Sequence, residues 1–323
     1  MADSPAIFIT DCDHDDVDIE RRVAAERGFR LSVGQCATEE DVIAAAGEAE
    51  ALVVQYAPIT DHVLAALPRL KAVGRYGVGV DNVDVAAATS HGVAVCNVPD
   101  YGTEDVSDHA IAMALSLGRA LPQLDRNLRR GRTELGPVRP IHRFSTRVFG
   151  LVGLGRIGRA TGRKARALGF TVIGTDPEWS TGSTTEEGIA VVGFEELIGS
   201  SDVISLHVPL TEATRHLIDD DVLGRVRPGV ILVNTCRGGV ADTDAVTRAL
   251  QDGRLAGAGL DVLEVEPLDS NHPIAHLENV IVTPHAAWHS EESYAELKHR
   301  VLENICDVLA GRRPRDILNP QVL

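Results

Sequence analysis

Val148-Phe149-Gly150-Leu151-Val152-Gly153-Leu154-Gly155-Arg156-Ile157-Gly158 decides how the rest of the chain is read. An apolar run suited to a buried strand ends in Gly-x-Gly-x-x-Gly. Residues 159–169 then read as a helix: Ile157, Ala160, Thr161, Ala165 and Leu168 share one face, and Arg159, Arg163, Lys164 and Arg166 fall largely off it. A second apolar run, 171–175, ends at Asp176. Strand, glycine turn, helix, strand and acid in this order make the βαβ unit of a dinucleotide-binding Rossmann fold. Gly153 permits the tight turn, Gly155 lets the backbone approach a pyrophosphate, and Gly158 lets helix and strand pack closely. The helix N-terminus offers free N–H groups and a partial positive charge to phosphates, with Ile157 in the same turn. Arg156 adds a charge-assisted contact. Asp176, 18 residues beyond Gly158, suits the ribose hydroxyls and repels a 2′-phosphate. Pro177 and Glu178 follow with no arginine beside them, so the expected cofactor is NAD and not NADP.

Working outward, the 323 residues suffice for two domains, and 44% apolar with 24% charged residues is the balance of an ordinary globular protein. A net charge of −16 repels nucleic acid and anionic membranes as whole-surface partners. The apolar stretches fall far short of the roughly 20 residues a membrane span needs, and Met-Ala-Asp-Ser-Pro-Ala lacks the regions of a signal peptide. Five dispersed cysteines, Cys12, Cys36, Cys96, Cys236 and Cys306, suit a reducing cytoplasm and argue against disulfides or a structural zinc. No metal site is expected.

Before the glycine turn, short strands are predicted over 6–10, 29–33, 51–54, 70–74 and 93–96, alternating with helices. This is the pattern of a parallel sheet covered on both faces. The acids Asp11, Asp13, Asp15, Asp16 and Asp18 read as helix-start residues favoured by the dipole, more readily than as metal ligands. The loop 74–84, Gly-Arg-Tyr-Gly-Val-Gly-Val-Asp-Asn-Val-Asp, follows a strand. It reads as an anion cradle with Arg75 beside bare N–H groups at Gly77 and Val78 and equally as a tight turn into a helix at Val83 capped by Asp81 or Asn82, and both can hold at once. Residues 103–130 read as one long helix bent near Pro122, crossing between domains, and 131–145 as a loop. After Asp176, strands are expected at 191–192, 203–207, 230–233, 255–260 and 280–283, and a helix over about 291–310 closes the chain. His207 ends a strand where a cofactor's adenosine would lie. It reads equally as a ligand contact and as packing.

Arg237, Glu266 and His285 all lie at or just beyond strand carboxyl ends, where a doubly wound sheet binds its ligand. Together they suit hydride transfer. A histidine handles the hydroxyl proton, a carboxylate fixes its tautomer, and an arginine fork takes a substrate acid. Each also has a plain structural reading as a solvated acid, a paired arginine or a packed histidine.

The segments 75–84, 153–158 with Asp176, 234–239, 259–267 and 283–285 resemble the D-isomer-specific 2-hydroxyacid dehydrogenases, almost from end to end. Within that family, 91–99 and 283–291 look most like the C-terminal binding protein branch, with D-3-phosphoglycerate dehydrogenases the next neighbours. The resemblance implies two doubly wound parallel-sheet α/β domains and a deep cleft. A Rossmann cofactor domain, 102–289, is inserted into a flavodoxin-like substrate domain built from 1–101 and 290–323. It implies that Arg237 binds the substrate acid, Glu266 supports the histidine and His285 is the general acid/base. It also implies that Asp261 lies near the nicotinamide and that Thr235 and residues 208–214, with Val208, Pro209 and Thr214, line the cofactor. Val78 is expected at both cofactor and substrate. Cys236 stands where a small residue such as alanine is common and reads as packing beside the cofactor. His289 stands where the corepressor-like branch tends to have tyrosine. The chain is expected to lack both the long tail of animal corepressors and the regulatory domain of many phosphoglycerate dehydrogenases.

The expected activity is NAD-dependent hydride transfer on a small D-2-hydroxy acid. Arg75, the Gly77–Val78 backbone and Arg237 hold its acid group and Trp288 forms an apolar wall. Two arginines also suit a phosphate- or phosphonate-bearing acid. Such members are usually homodimers through the cofactor domain, with the helix after Thr103 in the interface. The alternative is an NAD(H)-sensing corepressor-like scaffold.

Overall fold

Short, fully apolar strands such as Ala51-Leu52-Val53-Val54 have no polar face to give to water, so they are stable only when covered on both sides. The computed structural model describes residues 6–138 and 140–323, and the segment read above against a signal peptide lies almost wholly outside them. The chain divides into two compact units, one holding the residues up to Tyr101 and from Ser290 onward, the other residues 102–289.

In the first unit five strands, β1 (Ala6–Ile9), β2 (Arg30–Val33), β3 (Ala51–Val54), β4 (Ala72–Arg75) and β5 (Ala94–Cys96), pair in parallel in the order β2-β1-β3-β4-β5. This is the flavodoxin-like order, so the sheet is doubly wound as expected. The C-terminal helix Glu291–Leu309 covers one face, with a capping box from Ser290 and Ser293 at its start. It fits against β4 because Gly74 has no side chain: a Cβ there would press on Ile305 and Val301.

The second unit carries seven parallel strands. They are β6 (Val148–Val152), β7 (Thr171–Thr175), β8 (Ala190–Val191), β9 (Val203–Leu206), β10 (Val230–Asn234), β11 (Leu255–Leu260) and β12 (Val280–Val282). The order β12-β11-β10-β9-β6-β7-β8 puts the reversal of winding between β6 and β9, the switch point where α/β sheets bind ligands. One core packs Leu206, Leu232, Val246 and Leu250 against the sheet, and another packs Phe149, Leu151, Phe170 and Met113 on it. No described helix is long and apolar enough to cross a membrane.

Two expectations are corrected. The helix predicted over 103–130 is two helices, Thr103–Gly118 and Leu121–Arg129. The break is at Ala120, whose left-handed backbone (φ 52°) begins a new helix with Pro122 in its first turn, where a missing N–H costs nothing. After the loop at Arg75, the helix begins at Val85 rather than Val83. Asp84, not Asp81 or Asn82, caps it by accepting the Ala87 N–H (2.8 Å). Asn82 instead donates its side-chain amide to the Ala57 carbonyl (2.9 Å).

Candidate active site

The glycine turn is built for a molecule that lies against it. Gly153 has φ +101°, and a Cβ there would run into the His207 carbonyl. A Cβ at Gly158 would run into the Gly153 carbonyl, so these two glycines are required by the protein itself. Gly155 differs: among the described residues nothing lies within 4 Å of where its Cβ would be. Open space over the first turn of the helix Arg156–Ala167 fits a pyrophosphate. Arg156 and Ile157 are the first two residues of that helix. Asp176 follows β7, and its carboxylate accepts the Leu154 N–H (2.8 Å) and the Glu178 N–H (2.9 Å), fixing the acid beside the turn. Gly155→Ala is therefore expected to keep the wild-type melting temperature while weakening NADH binding about tenfold or more. Gly158→Ala is expected to lower the melting temperature by several degrees. Calorimetric titration and thermal melts on both variants check the contrast.

His207 packs behind the turn. Its Nε2 pairs with the Ser205 hydroxyl (2.9 Å), and burial drives the imidazole down to about 3, so the ring is neutral. The Thr214 hydroxyl donates to the Pro209 carbonyl (2.6 Å), closing the loop that begins at Val208. The Thr235 Oγ1 is buried without a hydrogen-bond partner among the described residues, a polar atom suited to a ligand. Cys236 donates its thiol to the Asn234 Oδ1 (3.1 Å), and burial pushes that thiol up to about 11, so it is not a thiolate nucleophile.

Glu266 and His285 meet: the Glu266 Oε2 lies 3.0 Å from the His285 Nδ1. Glu266 Oε1 accepts the Leu263 N–H (3.0 Å), so both carboxylate oxygens are engaged. Nε2, the other ring nitrogen, is engaged by no described residue. His285 has a left-handed backbone, φ 54°, uncommon outside glycine. Asp261 holds it there. The Asp261 carbonyl accepts the His285 N–H (2.8 Å), and its buried carboxylate accepts the Ala286 and Ala287 N–H groups (2.8 and 2.9 Å) and the Thr283 hydroxyl (2.6 Å). Sequence reasoning placed Asp261 near the nicotinamide and missed this task, because only the fold brings the Ala286 and Ala287 amides to an acid that directly follows β11.

Arg237 follows β10. Its Nη1 donates to the Cys236 carbonyl (2.8 Å), and the Asn234 side chain donates to the Arg237 carbonyl (3.0 Å), so the loop is fixed from within. The Arg237 charge reaches Glu266. Trp288 packs beside Gly102 and edge-on to His289. Burial pushes the Glu266 carboxyl up, but the bonds from His285 and the Leu263 amide, with the Arg237 charge, pull harder and hold it below its ordinary value near 4.5. A depressed carboxyl contributes stability that is fully present above the ordinary carboxylate range and is lost as pH falls through its folded value. The melting-temperature gap between wild type and Glu266→Gln is thus expected to be widest at neutral pH and to close in acid. A gap that widens on acidification contradicts this.

In the other unit, Arg75 ends β4 and folds back on its own loop, with Nη1 donating to the Tyr76 carbonyl (2.5 Å). Gly77, φ +133°, lies under the guanidinium, which a Cβ there would strike. Asn97 donates to the Val78 carbonyl (2.7 Å). Of the acids expected at a helix start, Asp18 is the first residue of the helix Asp18–Glu26 and Asp16 accepts its N–H (3.0 Å), whereas Asp11 does other work. Asp11 accepts the Gln55 and Tyr56 N–H groups (3.2 and 2.6 Å), tying the loops after β1 and β3 together. Among the described residues no cluster of acids, histidines and cysteines suits a metal ion.

A sheet with its glycine turn at the switch point, an open space over that turn and an acid–histidine pair beside an arginine loop define a Rossmann-type, NAD-dependent oxidoreductase. The family model of the D-isomer specific 2-hydroxyacid dehydrogenase NAD-binding domain matches residues 111–287. A glyoxylate reductase of Korarchaeum cryptofilum is 39% identical over 269 residues, 82% of this chain and 81% of that protein. A D-3-phosphoglycerate dehydrogenase of Archaeoglobus fulgidus is 36% identical over 91% of this chain, which spans only 56% of that protein. Among solved structures, the Aquifex aeolicus D-lactate dehydrogenase complexed with NAD and lactic acid superposes with a TM-score of 0.86 at 27% identity, covering 97% of this chain and 99% of that one. The chain belongs to the D-isomer-specific 2-hydroxyacid dehydrogenase family.

Proposed function

We propose that this protein interconverts a small D-2-hydroxy acid and its 2-oxo acid, with His285 as the general acid/base. The observation that carries this reading is the 3.0 Å Glu266–His285 pair, with Nε2 left for a substrate. When bound, NAD supplies the acceptor or donor of hydride at its nicotinamide ring. In the oxidising direction the His285 Nε2 takes the hydroxyl proton of the substrate, and in the reducing direction it returns one to the carbonyl oxygen. Glu266 holds the Nδ1 proton, fixing the tautomer and stabilising the imidazolium that forms. Arg237 offers its planar fork to the substrate's acid group and polarises the reacting carbonyl. In the other unit, Arg75 with the Gly77–Val78 backbone offers a cradle suited to an acid group, and Trp288 in the 102–289 unit provides an apolar wall. The Gly153–Gly158 turn, Asp176, Val208, Pro209, Thr214, Thr235 and Asp261 hold the cofactor or the loops around it. The substrate class follows the relatives' names, glyoxylate and D-lactate among them, while the two arginines extend it to phosphate-bearing acids.

The test is a panel assay: NADH with glyoxylate, pyruvate and hydroxypyruvate, and NAD with D-lactate, 3-phospho-D-glycerate and hydroxymethylphosphonate. Turnover of at least one member supports the reading, and silence on all of them overturns it.

We also propose a homodimer through the 102–289 unit. Leu121, Leu128 and Leu135 are exposed there, and a cavity of about 540 Å³ at the amino edge of the seven-stranded sheet is lined in part by Leu117, Phe144 and Ile231. Exposed leucines beside a hollow that also holds Arg147, Asp202, Arg227 and Glu278 favour burial against a second copy, with the charged groups left to pair across it. Sedimentation velocity is expected to give twice the chain mass and to shift toward one chain mass for Leu128→Asp. A monomeric wild type contradicts it.

A further inference from the structure

A chain of polar groups lies buried under the Arg75 loop. Lys298, on the C-terminal helix Glu291–Leu309, is fully buried. Its ammonium donates to the Asp16 carbonyl (2.6 Å) and the Tyr294 hydroxyl (2.9 Å) and lies 3.4 Å from the Glu20 Oε2. Glu20, on the helix Asp18–Glu26, is also fully buried, and its Oε1 accepts the Tyr76 hydroxyl (2.7 Å). His14 stands edge-on to both tyrosines, with ring centroids 5.1 Å from Tyr76 and 5.0 Å from Tyr294. The residue at the end of this chain, Tyr76, is the one whose backbone carries Arg75: its carbonyl accepts the Arg75 guanidinium, and Gly77 lies beneath that guanidinium. Its N–H is pinned to the Val54 carbonyl (2.9 Å).

Stability alone gives no reason to bury a lysine and a glutamate here. Their desolvation offsets most of their attraction, and apolar side chains of similar volume pack as well or better. What a buried network joined by hydrogen bonds and one ion pair adds is a fixed geometry. The ring of Tyr76 is held at its hydroxyl by Glu20 and on its face by His14, and any tilt of it moves the peptide on which Arg75 rests.

We propose that Tyr76, Glu20 and Lys298 are positioning residues that fix the Arg75–Val78 loop and thereby set substrate affinity. This rests on the reading of that loop as a site for the substrate's acid group. Tyr76→Phe removes one hydroxyl and keeps the ring, so it tests the chain with little risk to folding. Glu20→Gln strands Lys298 and is the harsher variant. Both are assayed with glyoxylate and NADH beside Arg75→Ala, and amide hydrogen exchange of 75–80 is followed in each.

In Tyr76→Phe the KM for glyoxylate is expected to rise about tenfold, the loss of one hydrogen bond to a charged group. The kcat and the KM for NADH stay within about twofold, and exchange of 75–80 speeds up. The double variant is no worse than Glu20→Gln alone, because the two residues act as one unit. An unchanged KM in Tyr76→Phe and Glu20→Gln, while Arg75→Ala raises it, overturns the inference and leaves the acid-site reading intact. So does unaltered exchange of 75–80, or a fall in kcat, NADH affinity and melting temperature together. An unchanged KM in Arg75→Ala overturns the acid-site reading itself, and the inference with it.

Discussion

His285→Ala is expected to lower kcat by about 10²- to 10⁴-fold while NADH binds as in the wild type. The size follows from what the ring is asked to do. Removing it leaves the substrate oxygen without a proton partner, so only binding and orientation still accelerate the reaction. NADH affinity stays because the glycine turn, Asp176 and the orphaned Thr235 hydroxyl belong to other loops. Glu266→Gln gives a smaller loss. An amide can still accept from Nδ1 but carries no charge to stabilise the imidazolium. If His285→Ala retains near wild-type turnover, the proton passes through another group and the assignment is wrong. Measuring kcat together with NADH binding by fluorescence titration separates loss of chemistry from loss of the fold.

Arg237→Lys is expected to lower kcat/KM for the acid substrate by about 10²-fold or more, in spite of the conserved charge. A bidentate fork and a point charge differ by roughly the 2–3 kcal/mol of a charge-assisted hydrogen bond, and each 1.4 kcal/mol is a factor of ten. The Arg237 backbone is fixed by Asn234, so the lysine cannot compensate by moving its loop. The effect falls on both KM and kcat, since the fork serves binding and carbonyl polarisation together. An unchanged kcat/KM would mean that Arg237 is a structural partner of its own loop and no more.

Much of this was legible in the chain itself. Short apolar runs alternating with helices, with Gly153, Gly158 and Asp176, located the doubly wound sheet and its glycine turn, because those residues obey local rules of turn and strand. Glu266 and His285 could be named as candidates, yet their meeting depends on two loops after different strands, and sequence spacing does not encode that. What stayed hidden was the support beneath the candidate residues. Asp261 was expected near the nicotinamide, and only the fold brings Ala286 and Ala287 to its carboxylate. Asp11 looked like a helix-start acid and instead binds the loop after β3. Lys298, on the closing helix, is wholly buried, and nothing in its local sequence announces that. The break at Ala120 was hinted at by Pro122 but not fixed by it, since a proline in the first turn of a helix and one at a bend read alike.

The most direct test of the central claim follows the transferred hydrogen. NADH deuterated at nicotinamide C4 is incubated with glyoxylate, pyruvate and hydroxypyruvate, and each product is examined by mass spectrometry and NMR. The account predicts a hydroxy acid carrying deuterium on its C2 carbon from at least one of them, formed about 10²- to 10⁴-fold more slowly by His285→Ala. Tight NADH binding with no labelled product from any of the three, in either enzyme, would contradict it and point to an NAD(H)-sensing scaffold.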